Sequence, residues 1–94
     1  MESRIEAKLF KVNQRIIELR EQESRTSAEL DMLRSLDDDF QRDAAVTGNP
    51  GDRADAQRAH ADVERFERVL ADLAARRGRL ESQRETLLAR LDGG

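Results

Sequence analysis

Several residue types that build catalytic, metal-binding and base-stacking sites are absent or rare in this chain. Cysteine, tryptophan and tyrosine do not occur, and histidine and proline occur once each among 94 residues. Without cysteine there is no disulfide framework and no thiolate metal site, which suits a reducing cytoplasm. A single histidine, with no glycine-rich phosphate loop, makes no catalytic constellation. We therefore expect a protein that is not an enzyme and that needs no cofactor or metal.

Long apolar runs and an excess of basic residues are also missing. No segment reaches the roughly 20 apolar residues of a membrane-spanning helix, and the N-terminal region lacks the apolar stretch of a secretory signal. The net charge is −3 and aromatic residues make up 3% of the chain. Nucleic-acid binding needs a basic face and aromatic side chains for stacking. We expect a soluble, cytoplasmic protein that contacts neither a membrane nor nucleic acid directly.

What the chain does contain is a hydrophobic repeat of alternating three- and four-residue steps, interrupted once at Gly48-Asn49-Pro50-Gly51. Such a heptad repeat is typical of a coiled coil, and one interruption by a turn predicts an all-α, antiparallel helical hairpin. We call the two expected helices the arms, and the line along which they contact each other the seam. The first arm places these residues at the seam: Ile5, Leu9, Val12, Ile16, Leu19, Glu23, Thr26, Leu30, Leu33, Asp37, Phe40 and Ala44. The second arm places these: Ala56, Ala59, Val63, Phe66, Leu70, Leu73, Arg77, Leu80, Arg84, Leu87 and Leu91.

Capping signals set the expected boundaries of the first helix and the turn. Ser3 followed by Glu6 is typical of a capping box, so we expect the first helix at residues 3–46. Gly48 suits the left-handed residue that follows a helix, and the adjoining proline and glycine suit a tight turn. We place this turn at residues 47–52.

The second helix is expected at residues 53–91, within a single domain. Asp52 is its expected N-cap, since a short carboxylate at that position accepts a bond from the first free amide groups. Gly78 costs about 1 kcal/mol relative to alanine inside a helix. Because the heptads continue through it unchanged, we expect one uninterrupted helix.

Some seam positions carry polar residues, namely Glu23, Thr26, Asp37, Arg77 and Arg84. In a hairpin folded about this turn, residues whose numbers add up to roughly 96 to 103 face each other, which brings Glu23 within about one helical turn of Arg77. Such a pair either selects the register of the helices or binds a partner, and we favour the structural role. His60 lies at the edge of the seam without an evident carboxylate partner, so we interpret it as structural.

A second apolar line lies beside the seam at the open end of the hairpin. It consists of Phe10 and Ile17 on the first arm and Ala74 and Leu88 on the second. Two helices alone cannot cover it, and small two-helix proteins rarely have enough core to be stable. We therefore expect a homodimer in which two hairpins form a four-helix bundle, with Phe10, Ile17 and Leu88 as the dimer surface. The alternative is that these residues only widen the intramolecular stripe.

Negative charge is concentrated around the turn. Residues 37–55 contain six acidic and two basic side chains, whereas residues 1–36 and 56–94 are close to neutral. Asp43 lies near a helix C-terminus, where the dipole disfavours an anion, and Asp37 occupies an apolar seam position. Helix stability does not explain these charges, although it does explain Asp52 and Asp55 at the start of the second helix. We expect a partner-binding tip formed by Asp37, Asp38, Asp39, Asp43, Asn49, Asp52, Ala54 and Asp55.

The turn also carries a short motif. The stretch Asn49-Pro50-Gly51-Asp52-Arg53-Ala54 resembles the coiled-coil tip of the DksA/TraR family of transcription regulators, whose motif Asp-x-x-Asp-x-Ala lies between two long antiparallel helices. The resemblance implies a hairpin that enters the secondary channel of RNA polymerase and brings its tip near the catalytic Mg²⁺. Asp52 matches the second aspartate and Ala54 the alanine, while Asn49 replaces the first aspartate. The family's cysteine-bearing zinc finger has no counterpart in this cysteine-free chain.

Two main functional interpretations remain, and a coiled-coil protein of a secretion apparatus or of a flagellum is a further alternative. The first is a non-enzymatic coiled-coil hairpin that acts as a protein–protein interaction module. The second is a transcription regulator that inserts its acidic tip into the RNA polymerase secondary channel. In this interpretation the tip also includes the motif residues Asn49 and Ala54. The helical-hairpin substrates of type VII secretion are similar in length and topology, but their Trp-Xaa-Gly turn and C-terminal tyrosine-containing motif do not occur here.

Overall fold

The chain folds into two long helices. The computed structural model describes residues 3–93, in which helix α1 spans Arg4–Thr47 and helix α2 spans Pro50–Asp92. No strand is assigned anywhere in that range, which confirms the predicted all-α fold of two long helices. Internal contacts divide these helices into two compact units.

Each unit contains one segment of α1 and one segment of α2. The terminal unit comprises residues 3–23 and 72–93, and the turn unit comprises Ser24–Ala71. In both units, residues later in α1 contact residues earlier in α2, so the paired segments are antiparallel. Asn13 with Arg84 and Glu23 with Arg77 show this in the terminal unit.

Helix α1 begins at the predicted cap. The side-chain oxygen of Ser3 accepts a hydrogen bond from the amide of Glu6 at 3.1 Å, and its carbonyl accepts one from Ala7 at 3.1 Å. These bonds satisfy amide groups that have no partner within the helix. The helix ends at Thr47, one residue later than predicted.

The turn is shorter than predicted, and the assignment of residues 47–52 to it is wrong. Only Gly48 and Asn49 separate the helices, because Pro50 already belongs to α2. Proline suits the first helical position: its ring holds φ near the helical value, and the N–H that it lacks would have no helical partner there. The second helix therefore starts three residues earlier than expected and ends at Asp92.

The seam in the terminal unit is the better-buried part of the core. Its buried apolar side chains are Leu9, Val12, Ile16, Leu19 and Leu87. Ile5 and Leu80 pack against this cluster and are partly buried. The prediction that Leu91 belongs to the seam is wrong, since its side chain is exposed in the last turn of α2, where no further helical turn covers it.

The seam in the turn unit buries fewer side chains. Leu30, Ala56 and Val63 are buried there. The other predicted apolar seam residues of this unit are half-buried: Leu33, Phe40, Ala44, Ala59, Phe66 and Leu70. The heptad assignment thus correctly identifies the side chains that face the neighbouring helix, but two helices cannot enclose all of them.

Gly78 lies inside α2 without interrupting it, as the continuous heptads predicted. Apart from the adjoining residues and the local helix backbone, a Cβ atom added at this position would meet no atom within 4 Å. The glycine is therefore not required by close packing.

Candidate interaction surfaces

Asn49 and Asp52, which were predicted to belong to a partner-binding tip, stabilise the turn. Gly48 adopts a left-handed φ of 64°, and its amide donates to the carbonyl of Ala44 at 2.8 Å, which closes α1. Asn49 Oδ1 accepts a hydrogen bond from the amide of Asp52 at 2.8 Å, and the Asn49 carbonyl accepts one from Arg53 at 3.1 Å. Asn49 is therefore the N-cap of α2, and the assignment of Asp52 to that role is wrong.

Asp52 occupies the third position of α2 and is tied to the end of α1. Its carboxylate accepts a hydrogen bond from the hydroxyl of Thr47. The same hydroxyl oxygen lies 3.4 Å from the amide nitrogen of Asn49, which donates to it. Thr47, Asn49 and Asp52 thus form one small network that holds the two-residue turn.

The predicted acidic tip is not one convergent cluster. Asp38, Asp39 and Asp43 are exposed on α1, with Asp39 3.6 Å from Arg42. Asp55 is half-buried and forms an ion pair with Arg58. Asn49 and Ala54 are exposed. Only part of the predicted set therefore offers side chains that a partner could reach without breaking an existing contact.

Asp37 differs from its neighbours because it lies in the seam of the turn unit. Its side chain is only 14% exposed, and it accepts a hydrogen bond from Gln41 Nε2 at 3.0 Å. The same Gln41 nitrogen donates to the carbonyl of Ala56 at 3.0 Å. The carboxylate therefore contributes to helix pairing rather than to the exposed tip.

His60 contacts two carboxylates, which corrects the expectation that it has no such partner. Its Nδ1 lies 3.3 Å from Asp37 Oδ2, and its Nε2 lies 2.9 Å from Glu64 Oε1. Sequence reasoning missed Glu64 although it lies one helical turn after His60. It also missed Asp37, because the expected range of facing positions allows several partners for each side chain. Only the doubly protonated imidazolium can donate to both carboxylates.

These contacts change the pKa values of both groups. The hydrogen bond and the charge of Asp37 raise the pKa of His60, and the carboxylates of Glu64 and Glu67 add to the effect. The hydrogen bond from Gln41 lowers the pKa of Asp37, and His60 lowers it further against the effect of burial. The cluster borders an open groove of about 790 Å³ that is also lined by Arg53.

A polar layer crosses the seam of the terminal unit where it was predicted. Arg77 donates from Nε to Glu23 Oε2 at 2.6 Å and from Nη2 to Glu23 Oε1 at 3.1 Å. Glu81 accepts from Arg77 Nη1 at 3.1 and 3.2 Å and from Arg20 Nη2 at 2.9 Å. The hydrogen bonds from Arg20 and then Arg77 lower the pKa of Glu81, and those to Glu23 and Glu81 raise the pKa of Arg77.

The three large apolar side chains that were predicted to form the dimer surface are exposed in the terminal unit. The exposed fractions are 64% for Phe10, 51% for Ile17 and 44% for Leu88. Asn13 lies between Phe10 and Ile17 on α1, and its Oδ1 accepts a hydrogen bond from Arg84 Nη1 at 3.3 Å. Arg84 precedes Leu88 by one helical turn, so each of the three apolar side chains lies within one turn of a residue that forms this inter-helix bond. We call Phe10, Ile17 and Leu88 the terminal apolar surface.

The turn unit has a second exposed apolar surface that sequence reasoning missed. Two adjoining cavities of about 270 and 260 Å³ share Leu33, Leu36 and Asp62, so they form one groove between the helices. Met32 and Leu36 are 68% and 49% exposed at its edge. Each directly precedes a seam position, which is the signal that could have identified them. We call this the turn-unit groove.

Neither a metal site nor a membrane span is found among the described residues. Within residues 3–93, no group of three or more His, Cys, Asp or Glu side chains is arranged to hold a metal ion. In that same range, neither helix contains a stretch long and apolar enough to cross a bilayer. Comparison with protein-family models, with curated proteins and with solved structures gives no match to this chain.

Proposed function

We propose that this chain is a non-enzymatic coiled-coil hairpin that acts as a protein–protein interaction module. The observation that supports this proposal is the terminal apolar surface, where three large side chains stay in contact with water. Burying a side chain of this size contributes roughly 1.5–3 kcal/mol relative to leaving it exposed. A partner that covers the surface would therefore gain a substantial part of its binding free energy from these side chains.

The ionisable side chains support a structural rather than a catalytic use. Arg77, Glu23 and Glu81 satisfy one another across the seam, and His60 is held between two carboxylates. His60 borders the open groove of about 790 Å³, but both of its ring nitrogens already contact carboxylates. The best-defined polar clusters instead join α1 to α2 within a unit.

We propose that one occupant of the terminal apolar surface is a second copy of the chain, in a four-helix bundle. Within residues 3–93, the buried apolar side chains are the eight residues Leu9, Val12, Ile16, Leu19, Leu30, Ala56, Val63 and Leu87. That is little core for an independent domain, and small helical proteins commonly gain stability by association. A bundle would cover the exposed Phe10 and Leu88 and add to this core.

Sedimentation equilibrium tests the dimer directly. We expect the wild-type protein to be dimeric at micromolar concentration and the double variant Phe10→Ser with Leu88→Ser to be monomeric, with helicity measured by circular dichroism. Val46→Ser is the matched control, because Val46 is 81% exposed and lies in the turn unit. A wild-type monomer, or a double variant that stays dimeric, would overturn the assignment.

A second candidate function is regulation of transcription through the RNA polymerase secondary channel. The observation in its favour is that Asp38, Asp39, Asp43 and Ala54 are exposed near the turn. Asp52, which matches the family's second aspartate, accepts a hydrogen bond from Thr47 and would have to give it up to reach a metal ion.

Binding to RNA polymerase from the source organism separates the two candidates. We expect the regulator to bind and to change transcript yield, and the triple change of Asp38, Asp39 and Asp43 to Asn to abolish the effect. The double variant Phe10→Ser with Leu88→Ser is the control, since the terminal apolar surface has no role in that mechanism. No binding at micromolar concentration would remove this candidate and leave the interaction module in place.

A further inference from the structure

The turn-unit groove has the composition of a helix-binding surface. Its floor consists of Leu33, Phe40 and Phe66, which are half-buried, and Leu36 stands at its edge. A single amphipathic helix commonly binds in such a groove, placing apolar residues along one of its faces against the floor.

The two walls of the groove differ in charge. On α1, Glu29, Met32, Leu36, Asp39 and Asp43 follow one another at helical spacings of three and four residues, so they lie along one ridge. This ridge has an apolar centre between carboxylates and contains no basic residue. A partner lying beside it would gain from Lys or Arg on the flank that faces α1.

The wall on α2 is balanced in charge. Arg58 forms an ion pair with Asp55, and Arg65 Nη2 lies 2.9 Å from Asp62 Oδ1. The Arg65 guanidinium also stands 5.9 Å from the centre of the Phe66 ring, which adds a cation–π contact. These arginines are held within their own helix, and Asp39 on α1 likewise lies 3.6 Å from Arg42. The charge preference of the groove therefore rests on Glu29 and Asp43.

The turn unit as a whole is acidic. Residues 24–71 contain eleven acidic and seven basic side chains, which gives a formal net charge of −4. This charge favours approach of a basic partner and disfavours an acidic one. The ridge from Glu29 to Asp43 covers about 21 Å at 1.5 Å per residue, which matches a partner helix of roughly four turns.

We propose that the turn-unit groove binds an amphipathic helix of another protein, with apolar residues facing the groove and basic residues on the flank next to α1. This partner surface is separate from the terminal apolar surface. The proposal extends the interaction-module function to a second partner, and it does not depend on the dimer.

A synthetic 18-residue peptide of leucine and lysine tests the proposal, with leucines spaced to line one face of a helix. We expect calorimetry at physiological ionic strength to show binding to the wild type. A peptide of the same composition, with leucines distributed around the helix, should bind about tenfold more weakly or worse, because it cannot bury a continuous apolar face. Equal binding of the two peptides would overturn the proposal.

Leu36→Asp separates apolar docking from simple charge attraction. The variant makes the groove more acidic. If the basic peptide were held by charge alone, it would bind more tightly. If its leucines pack on Leu36, its affinity should fall about tenfold or more. Val46→Asp adds the same charge within the turn unit but outside the groove lining, and it should bind as well as the wild type. Equal affinities of the two variants would refute docking in the groove.

Two further measurements keep the test decisive. Met32→Asp changes a residue that is 68% exposed, so we expect it to lower the affinity for the peptide and to leave the helicity of the protein unchanged. It therefore shows whether weaker binding by Leu36→Asp could come from a folding defect. The double variant Phe10→Ser with Leu88→Ser should bind the peptide like the wild type, whatever its oligomeric state. If the wild type is an oligomer and the Leu36→Asp variant forms a smaller species, a second copy of the chain occupies the groove and the proposal is wrong.

Discussion

Arg77 and Glu23 form a bidentate ion pair across the two helices of the terminal unit, with Nε 2.6 Å from Oε2 and Nη2 3.1 Å from Oε1. Both residues occupy seam positions where apolar side chains would normally pack. Glu81 accepts two further bonds from the same guanidinium. The pair therefore resembles the polar seam residues that select one register among several apolar alternatives.

The double variant Glu23→Leu with Arg77→Leu tests this role. We expect urea unfolding to show a stability equal to or above that of the wild type, because apolar packing replaces an ion pair whose desolvation is costly. We also expect sedimentation to show mixed species, since the register is less well specified. The single variant Glu23→Leu should lower the urea midpoint, because it leaves the half-buried guanidinium with fewer partners. A stable single variant would argue against the assigned role.

Leu30→Ala should strongly destabilise the turn unit. Leu30 is almost completely buried in the seam, and its truncation removes burial and leaves a cavity, which costs roughly 2–5 kcal/mol. The exposed Leu36 provides the matched control, and Leu36→Ala should change the free energy of unfolding by about 0.5 kcal/mol or less. Equal losses in urea unfolding would contradict the seam assignment.

Asn49→Ala should destabilise α2 by about 1 kcal/mol, because the amide of Asp52 loses its side-chain acceptor. Asn49→Ser should retain most of the stability, since serine also caps well. Thermal unfolding of the two variants measures the difference. If Asn49→Ala unfolds like the wild type while Asp52→Ala does not, Asp52 is the cap after all.

Gly78→Ala should stabilise the protein by about 1 kcal/mol, the difference in helix propensity between the two residues. Apart from the adjoining residues and the local helix backbone, the added methyl group would meet no atom within 4 Å. Gly48→Ala is the contrasting variant and should be destabilising, because Gly48 adopts a positive φ that L side chains rarely adopt. A loss of stability on Gly78→Ala, measured by urea unfolding, would mean that α2 requires flexibility or close approach at this position.

The stability of the turn unit should fall as the pH rises through the pKa of His60. The contact with Asp37 raises that pKa in the folded state, so the folded protein holds the proton more tightly than the unfolded chain. The stabilisation is fully present below the unfolded value of about 6.5 and is lost as the pH passes the raised folded value. We expect the urea midpoint of the wild type to decrease between about pH 6 and pH 8. This direction follows from the coupling between proton binding and folding.

His60→Gln is the control for this pH dependence. Glutamine cannot titrate, so the decrease between these two pH values should be smaller in the variant. Asp37 contributes in the opposite range: Gln41 lowers its pKa, and its contribution is lost as the pH falls through that lowered value. An identical pH profile for His60→Gln and the wild type would show that the imidazole does not couple to folding.

The register of the helices could be predicted to within about one helical turn. Glu23 and Arg77 are in contact as expected, because the spacing about a single turn limits which seam positions can meet. The contact between His60 and Asp37 also falls within the expected range of facing positions, but it was not predicted because that range allows several partners for each side chain. The cap of α2 was assigned to the wrong residue because proline fits both a turn and the first position of a helix.

The heptad spacing and its single interruption determined the two helices, their antiparallel pairing within each unit and the seam residues as far as Leu87, since burial follows a seven-residue period. Only the tertiary structure decided which apolar side chains remain exposed. Met32 and Leu36 lie one residue before seam positions, and whether such side chains are covered depends on how much surface the opposite helix offers. The same limit explains why Asp37 is a seam residue held by Gln41 and His60 while Asp38 is exposed. Adjacent residues on a helix point about 100° apart, and composition alone cannot show what lies opposite each one.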